Sequence, residues 1–475
     1  NLGFRCVTSA WFCDIVPGGH CAGASYPPLL REPAVCGTCT GARFGRRMTS
    51  ELTPKRDGLR PWLALVGLVV PVNLMMALDK NSFALAAPRI GQTLGLDYVH
   101  ISLVISALAW SYAGRQLPGG WLVHRLGPRR ALGMACLLWS LTTMLMPLSA
   151  GFMSFLVLRM AMGAFQAPDW SASVVAVHDW FAPERRSRGN AVLLGALYLG
   201  STLAGPLTTE TTLMFGWQRC LFVFGCFGAV LSVVWLLLFR DGPYRHREDT
   251  PALLPDKHVV YQLATSGGFW AIGGFYLCML AVQSFYHVTL PQYLLSARHL
   301  SYREMGWVFS LPWFCLYGSV VTSGFVSDRI YARTGSVFQA RVLFGAAGAV
   351  TSALSLEAAA LCHGTIASVV LLCAALAALG PCQVSIWTLA QELTRHHAAV
   401  VVGWAGFCGN LAAGVVPVLT AHLLKTGLSW PNALLLPCLL GVLGAVCCLL
   451  TGYFGQIDEC QNTSSSNTSR ESYDV

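Results

Sequence analysis

Apolar runs of about 20 residues recur from Trp62 to Tyr453, separated by short stretches where glycine, proline and charge collect. Each run is long enough to cross a bilayer core of about 30 Å as a helix. Of the 475 residues, 55% are hydrophobic and only 11% are charged. A soluble chain carries about 25% charged residues. The pattern therefore predicts an all-α membrane protein. It excludes a soluble α/β enzyme, which would lack the polar surface to stay in water.

Setting the runs against the charged breaks predicts twelve spans, at 62–87, 98–123, 130–149, 152–176, 189–210 and 219–239, then 265–290, 304–327, 338–358, 364–391, 398–421 and 430–453. The longest polar break, "RDGPYRHREDTPALLPDKH", reads as a linker between two six-helix halves. The expected units are a first half at 48–239, a cytoplasmic linker at 240–264, a second half at 265–453 and a cytoplasmic tail at 454–475. Residues 1–47 begin with Asn1 and lack a continuous apolar core, so they do not read as a signal peptide. Met48 is the expected start of the native chain; the alternative for 1–47 is a disordered tail.

The net charge of +9 raises the possibility of nucleic-acid binding, but the basic residues form no stripe. They mark the loops between apolar runs, as membrane topology requires. With both ends cytoplasmic, 18 Lys and Arg from Met48 onward fall on the cytoplasmic side. Five, Arg89, Arg219, Arg298, Arg303 and Lys425, fall on the other. The bias predicts a multi-pass protein of the cell membrane with both termini in the cytoplasm. The tail sequons at Asn462 and Asn467 are then chance matches.

Of the 18 cysteines, five precede residue 48, and the rest are mostly scattered singly in apolar runs as small buried hydrophobes. Cys36 and Cys39 have metal or redox spacing, yet no second pair or histidine completes a site. No metal and no cofactor is expected. An enzyme is not expected either, because no ligand set or nucleophile triad recurs at membrane depth.

The two halves echo each other. The second-to-third connection reads "GGWLVHRLGPRR" and the eighth-to-ninth reads "SGFVSDRIYARTG", in the same relative place. Paired halves with related loops mark a transporter that rocks about a central site.

The first of these loops resembles the motif of the major facilitator superfamily, Gly-x-x-x-Asp-Arg-x-Gly-Arg-Arg, through Gly120, Arg125, Gly127, Arg129 and Arg130. Further stretches resemble its anion:cation symporter family of organic-anion carriers: "ALDKNSFALAAPRI", "WSYAGRQLPGGWL", "HDWFAPERRSRG" and "GFCGNLAAGVVP". Together they cover residues 60 to 455 in order. The resemblance implies alternating access and proton-coupled import of a small organic anion, such as a sugar acid, a dicarboxylate or an aromatic acid. The expected partners are that anion, protons and the lipid bilayer, with the chain working as a monomer.

A charge within a span costs at least about 2.5 kcal/mol, so each needs a partner or a task. Four stand out: Asp79, Lys80, Arg115 and Arg159. Arg159 and Gln166 are seven residues apart, two helical turns, and share a face of the fourth span. The resemblance implies that Lys80 binds the substrate carboxylate, Asp79 takes the proton and Arg159 neutralises Asp79 when it is ionised. Burial favours a protonated carboxyl and a nearby cation favours the ionised form, which suits an Asp that loads and releases a proton. The alternative is a static buried ion pair that fixes helix packing. The chain departs from the family in two places: Gln166 stands where the family has Glu, and Lys80 where it has Arg. Arg115 reads equally as a second anion ligand or as a side chain snorkelling to the headgroups.

The resemblance also implies substrate contacts for Tyr112 and Asn410. Tyr286, His287 and Gln292 are further polar groups of the second half, with His287 read as a satisfied helix-end histidine. His124, Arg125, Arg129 and Arg130, with Asp328 and Arg329 opposite, are the expected cytoplasmic gate. His124 stands where the motif has Asp, and a histidine changes charge near neutral pH. The gate is therefore expected to loosen on acidification, or else His124 is a neutral hydrogen-bond donor. Two other functions remain open. A proton-driven exporter would carry a glycine-rich fifth span, of which only Gly205-Pro206 is present, and a non-transporting nutrient sensor would carry a long signalling tail.

Overall fold

The structure is a computed structural model that describes residues 59–454 apart from 183–184, 241, 243–256 and 395–397. The expectations for residues 1–47, Met48 and the tail sequons lie outside the described residues. Among the described residues every regular element is helical. That is how a chain in hydrocarbon satisfies its backbone hydrogen bonds.

Twelve long helices follow in order: α1 (59–94), α2 (98–126), α3 (128–148), α4 (152–180), α5 (186–215), α6 (217–238), α7 (267–296), α8 (302–334), α9 (338–361), α10 (365–393), α11 (398–425) and α12 (430–454). A short helix, Lys257–Thr265, precedes α7. Among the described residues, nine stretches are long and apolar enough to cross a membrane. One of these, Arg188–Leu238, holds both α5 and α6. Of the two helices outside that set, α2 carries Arg115 and Arg125, and α4 is divided into pieces of 15 and 12 residues, each too short to cross alone. Side chains such as Leu148, Leu237 and Ile366 point outward, leaving the apolar girdle that lipid requires.

Glycine makes the sharpest turns. Gly127 separates α2 from α3 at φ 77° and ψ 162°, and Gly216 separates α5 from α6 at φ 82° and ψ 161°. That region is essentially closed to residues with a Cβ. The second-half counterpart is displaced. Arg329 corresponds to Arg125, but the helix runs on to Gly335, so the turn comes one helical turn later than after Arg125.

Proline shapes the spans. In α1 a π-helical turn, Leu65–Val69, precedes Pro71, and in α7 another, Phe285–Thr289, precedes Pro291. Widening the helix relieves the clash between the proline ring and the carbonyl four residues earlier. Two helices are interrupted in their hydrogen bonding, although Ala167, Pro168 and Ala378 keep right-handed helical angles. α4 consists of Phe152–Gln166 and Asp169–Trp180 around Ala167-Pro168, and α10 of Thr365–Ala377 and Leu379–Leu393 around Ala378. Pro381 cannot donate to the carbonyl of Ala377, and the Ser319 hydroxyl of α8 donates to it instead at 2.6 Å.

Two large cores pack these helices. One, around Trp139, Phe155 and Trp235, draws almost wholly on α1–α6. The other, around Phe275, Tyr293 and Trp313, is centred on α7–α12 and takes in residues of α1, α5 and α6. The halves meet along α5 and α8, where a Cβ on Gly205 would strike the carbonyl of Gly306 and Ser310 donates to the Thr202 carbonyl at 2.5 Å. They meet again along α2 and α11, with Trp110 against Gly414 and Gln116 against Gly406.

Candidate functional site

The middle of α1 reads Asp79-Lys80-Asn81-Ser82, a polar run that a helix in hydrocarbon can hold only by turning it inward. Asp79 is 1% exposed and neither of its oxygens meets a donor. The Trp139 indole approaches it from α3 without completing a hydrogen bond. Arg159 of α4 lies near enough for its charge to act on both Asp79 and Lys80, yet forms no direct ion pair. Its guanidinium stacks over Phe83 at 4.7 Å and donates to the Met162 sulfur at 3.5 Å, leaving Nε unmet. The structure therefore brings Asp79, Lys80 and Arg159 together, but as a loose triad rather than the tight pair of a static packing device.

Gln166, on the same face of α4, is fully buried with both amide atoms unpartnered. Buried polar groups are nearly always hydrogen-bonded. A cluster of unmet ones is where a polar ligand, water or a proton belongs.

Further polar groups come from the neighbouring helices. Asn81 donates to Ser201 of α5 at 3.1 Å, and its Oδ1 lies 2.8 Å from Nδ1 of His287. An amide oxygen only accepts, so Nδ1 carries the proton. His287 sits inside the π turn of α7, against the Trp313 ring at 4.3 Å, and Lys80 lies within electrostatic reach. The reading of His287 as a helix-end residue is thus corrected: Pro291 continues the helix after a widened turn, which places the ring mid-span. Tyr276 of α7 lies close to Tyr112 and Tyr198 and packs on Trp387 at 5.6 Å between centroids. Tyr112 is half-buried beside it. Asn410 of α11 follows Gly409, which packs on Tyr276, and its amide nitrogen donates to the Gly406 carbonyl of its own helix at 2.8 Å.

Asp169 is the larger omission. Asp79 is the acid expected to be buried near cations, yet Asp169, at the start of the second piece of α4, is also fully buried with both oxygens unmet. Its signal was present as a lone acid in "QAPDWSASVV". It lies three residues after Gln166, on the face of α4 that also buries Arg159 and Ser173.

The arginine-rich turn is organised within its own half. Arg129 donates twice to the Leu236 carbonyl at the end of α6, at 3.1 and 2.6 Å, and the Trp235 indole donates back to the Arg129 carbonyl at 2.9 Å. A cation over the last carbonyls of a helix answers its dipole. Arg125, one of the expected gate residues, stacks on Trp121 one turn earlier at 4.4 Å. His124 and Arg130 are exposed, and among the described residues His124 makes no hydrogen bond. Across the bundle Asp328 pairs with Arg341 of α9 at 2.9 Å, Arg341 also donates to Ser327, and Arg329 is exposed. At the other end of the bundle charge pairs join the halves. Lys425 meets Asp97 at 2.8 Å, and Arg303 meets Glu210 at 3.0 Å. Lys425 and the Asp97-to-His100 N-cap hydrogen bond hold the Asp97 carboxyl well below the usual carboxylate range.

Two helical halves closed at one end around buried, incompletely paired charges define a membrane transport protein. The Major Facilitator Superfamily model matches residues 69–417, and the chain belongs to that superfamily. It is 27% identical over 317 residues to the "Probable galactarate/D-glucarate transporter GudP" of Escherichia coli (strain K12), spanning 60% of this chain and 70% of that one. It is 25% identical over 378 residues to the "Hexuronate transporter" of Bacillus subtilis (strain 168), spanning 76% and 87%. A solved bacterial homolog of the human lysosomal transporter Spinster superposes with a TM-score of 0.69 at 13% identity, covering 84% of this chain and 98% of that one. At that identity the likeness is one of fold. The family is one of transporters, so the chain is a transporter and not an enzyme.

Proposed function

We propose that this protein is a secondary transporter that imports a small organic anion of the sugar-acid class together with protons, by alternating access. One observation carries the reading: Asp79 is buried in α1 without a hydrogen-bond partner, in the field of Arg159 and next in sequence to Lys80. Lys80 takes the substrate carboxylate, Asp79 carries the proton, and Arg159 balances Asp79 when that proton leaves. Tyr112, Gln166 and Asn410 supply hydrogen bonds to a polyhydroxy acid. The names of the relatives support the substrate class, since they include transporters of galactarate, D-glucarate and hexuronate.

The charge bias of the loops supports a cell-membrane topology with both termini cytoplasmic, so the Asp97–Lys425 and Glu210–Arg303 pairs lie on the outer side. The conformation is then closed outside, with the gate residues His124, Arg125, Arg129, Arg130, Asp328 and Arg329 on the inner side.

The test is uptake into proteoliposomes of labelled D-glucarate, galactarate, a hexuronate and an aromatic acid, with and without an inward proton gradient. Gradient-stimulated uptake of a sugar acid is expected. Asp79→Asn should abolish the stimulation while retaining exchange of substrate across the membrane. Full stimulation in that variant removes Asp79 from the coupling role.

A further inference from the structure

We infer that Asp169 is a second proton-carrying carboxyl of the central site, on α4 as Asp79 is on α1. This rests on the proton-coupled reading above.

The geometry is that of a carrier rather than a packing residue. Asp169 is fully buried, and neither oxygen has a hydrogen-bond partner. It opens the second piece of α4 directly after Pro168, where the helix has been interrupted and restarted. Gln166, one turn earlier, has both amide atoms unmet but cannot titrate. Ser173, one turn later, accepts from Asn73 of α1 at 2.8 Å, so this face of α4 looks toward α1. The interruption is held from the other side by Gly119 of α2, where a Cβ would lie 3.0 Å from the Pro168 nitrogen.

The titratable groups facing Asp169 are Tyr112 of α2 and Cys136 of α3. Cys136 lies within electrostatic reach of both Asp169 and Asp79, so the two carboxyls flank one patch of α3. Among the described residues no cation acts on Asp169, in contrast to Asp79 with Arg159. An unpaired carboxylate costs several kcal/mol in a dry interior, so Asp169 holds a proton while the site is closed. It ionises when water reaches it from the inner side. The proton forms an Oδ–H bond on the side facing outside water. The same bond breaks to water on the inner side, leaving the carboxylate to be reloaded. Nothing else is consumed.

The experiment is infrared difference spectroscopy of the purified full chain in lipid nanodiscs, with no substrate added, across about pH 5 to 9. The readout is the carbonyl band of protonated carboxyl groups. The wild type should lose intensity in two components as pH rises. Asp169→Asn, nearly isosteric, should remove one and Asp79→Asn the other; Asp169→Glu should restore the first at a shifted frequency, which separates loss of the group from loss of fold. In the transport assay Asp169→Asn should lower the number of protons moved per substrate by one. Titrating intensity unchanged in Asp169→Asn overturns the assignment, as does a band that Asp169→Asn removes but that never titrates. A wild type that moves substrate with no protons at all defeats the coupling reading itself, whatever the spectrum shows.

Discussion

At the scale of single residues, what matters is which charges lack partners. Lys80 offers a compact point charge where a guanidinium would offer a fork. A hydrogen bond to a charged group is worth about 1.5–3 kcal/mol. Lys80→Gln is therefore expected to weaken sugar-acid affinity by about 10- to 150-fold, and Lys80→Arg to preserve or tighten it. Equilibrium binding of labelled acid to the purified protein checks both, and unchanged affinity in Lys80→Gln takes Lys80 out of the site. Gln166→Glu adds a titratable group beside Asp79 and Asp169, and should raise the number of protons moved per substrate; a constant ratio argues against it. His124 is exposed on the open face of the turn, with no bond to break on acidification in this conformation. If it gates, it does so in the opposite conformation. Reactivity of a cysteine placed in the inner gate should then differ between wild type and His124→Asp as pH changes; identical profiles leave His124 as a spacer.

At the scale of elements, small residues set how closely the halves approach. Gly205 and Gly306 let α5 and α8 touch backbone to backbone, and Thr209 closes the contact from the next turn. Gly205→Val inserts volume where there is none. Overpacking of this kind costs about 1–3 kcal/mol. A lowered thermal midpoint in detergent is expected, together with a shift away from the outward-closed form; an unchanged midpoint would mean the helices separate freely. Gly127 tests a different mechanism, since its φ of 77° strains any side chain. Gly127→Ala should cost about 1–3 kcal/mol and slow transport, because the α2–α3 turn carries Arg129 to the end of α6.

At the scale of the whole molecule, the charge pairs between the halves act as a latch. Asp97 bonds Lys425, and Glu210 receives Arg303 through two nitrogens and also the Trp307 indole at 3.4 Å. Both pairs are partly exposed, so each is worth about 0.2–1 kcal/mol and weakens with salt. The sign of the pH dependence follows from Asp97, whose carboxyl is held below its ordinary value. Its contribution is fully present above that ordinary value of about 3.9 and is lost only as pH falls through the depressed one. Titration of Asp97 itself therefore adds no pH dependence to the closure from about pH 5 to 8. Asp97→Asn should instead open it at every pH, read as faster labelling of a cysteine at position 410 by an impermeant reagent added outside. Equal labelling rates would show that the apolar contacts alone keep the halves closed.

Much of this was legible in the chain itself. Periodic apolar length determined twelve helices, because a bilayer accepts little else. Glycine at 127 stood in the loop motif where the second helix gives way to the third. Asp79, Lys80 and Arg159 declared themselves because charge in hydrocarbon is too costly to be incidental. Tertiary structure alone decided what depends on distances between helices far apart in sequence. It set His287 on Asn81 across 206 positions, left Arg159 short of a direct pair with Asp79, and left both oxygens of Asp169 without a partner. It also set the Asp97–Lys425 and Glu210–Arg303 pairs across the halves at one end, and left Arg129 and Arg341 at the other with partners in their own half. The physical reason is one of range: hydropathy and turn chemistry act over a few residues and can be read locally. Whether a buried charge finds a partner depends on how whole helices pack.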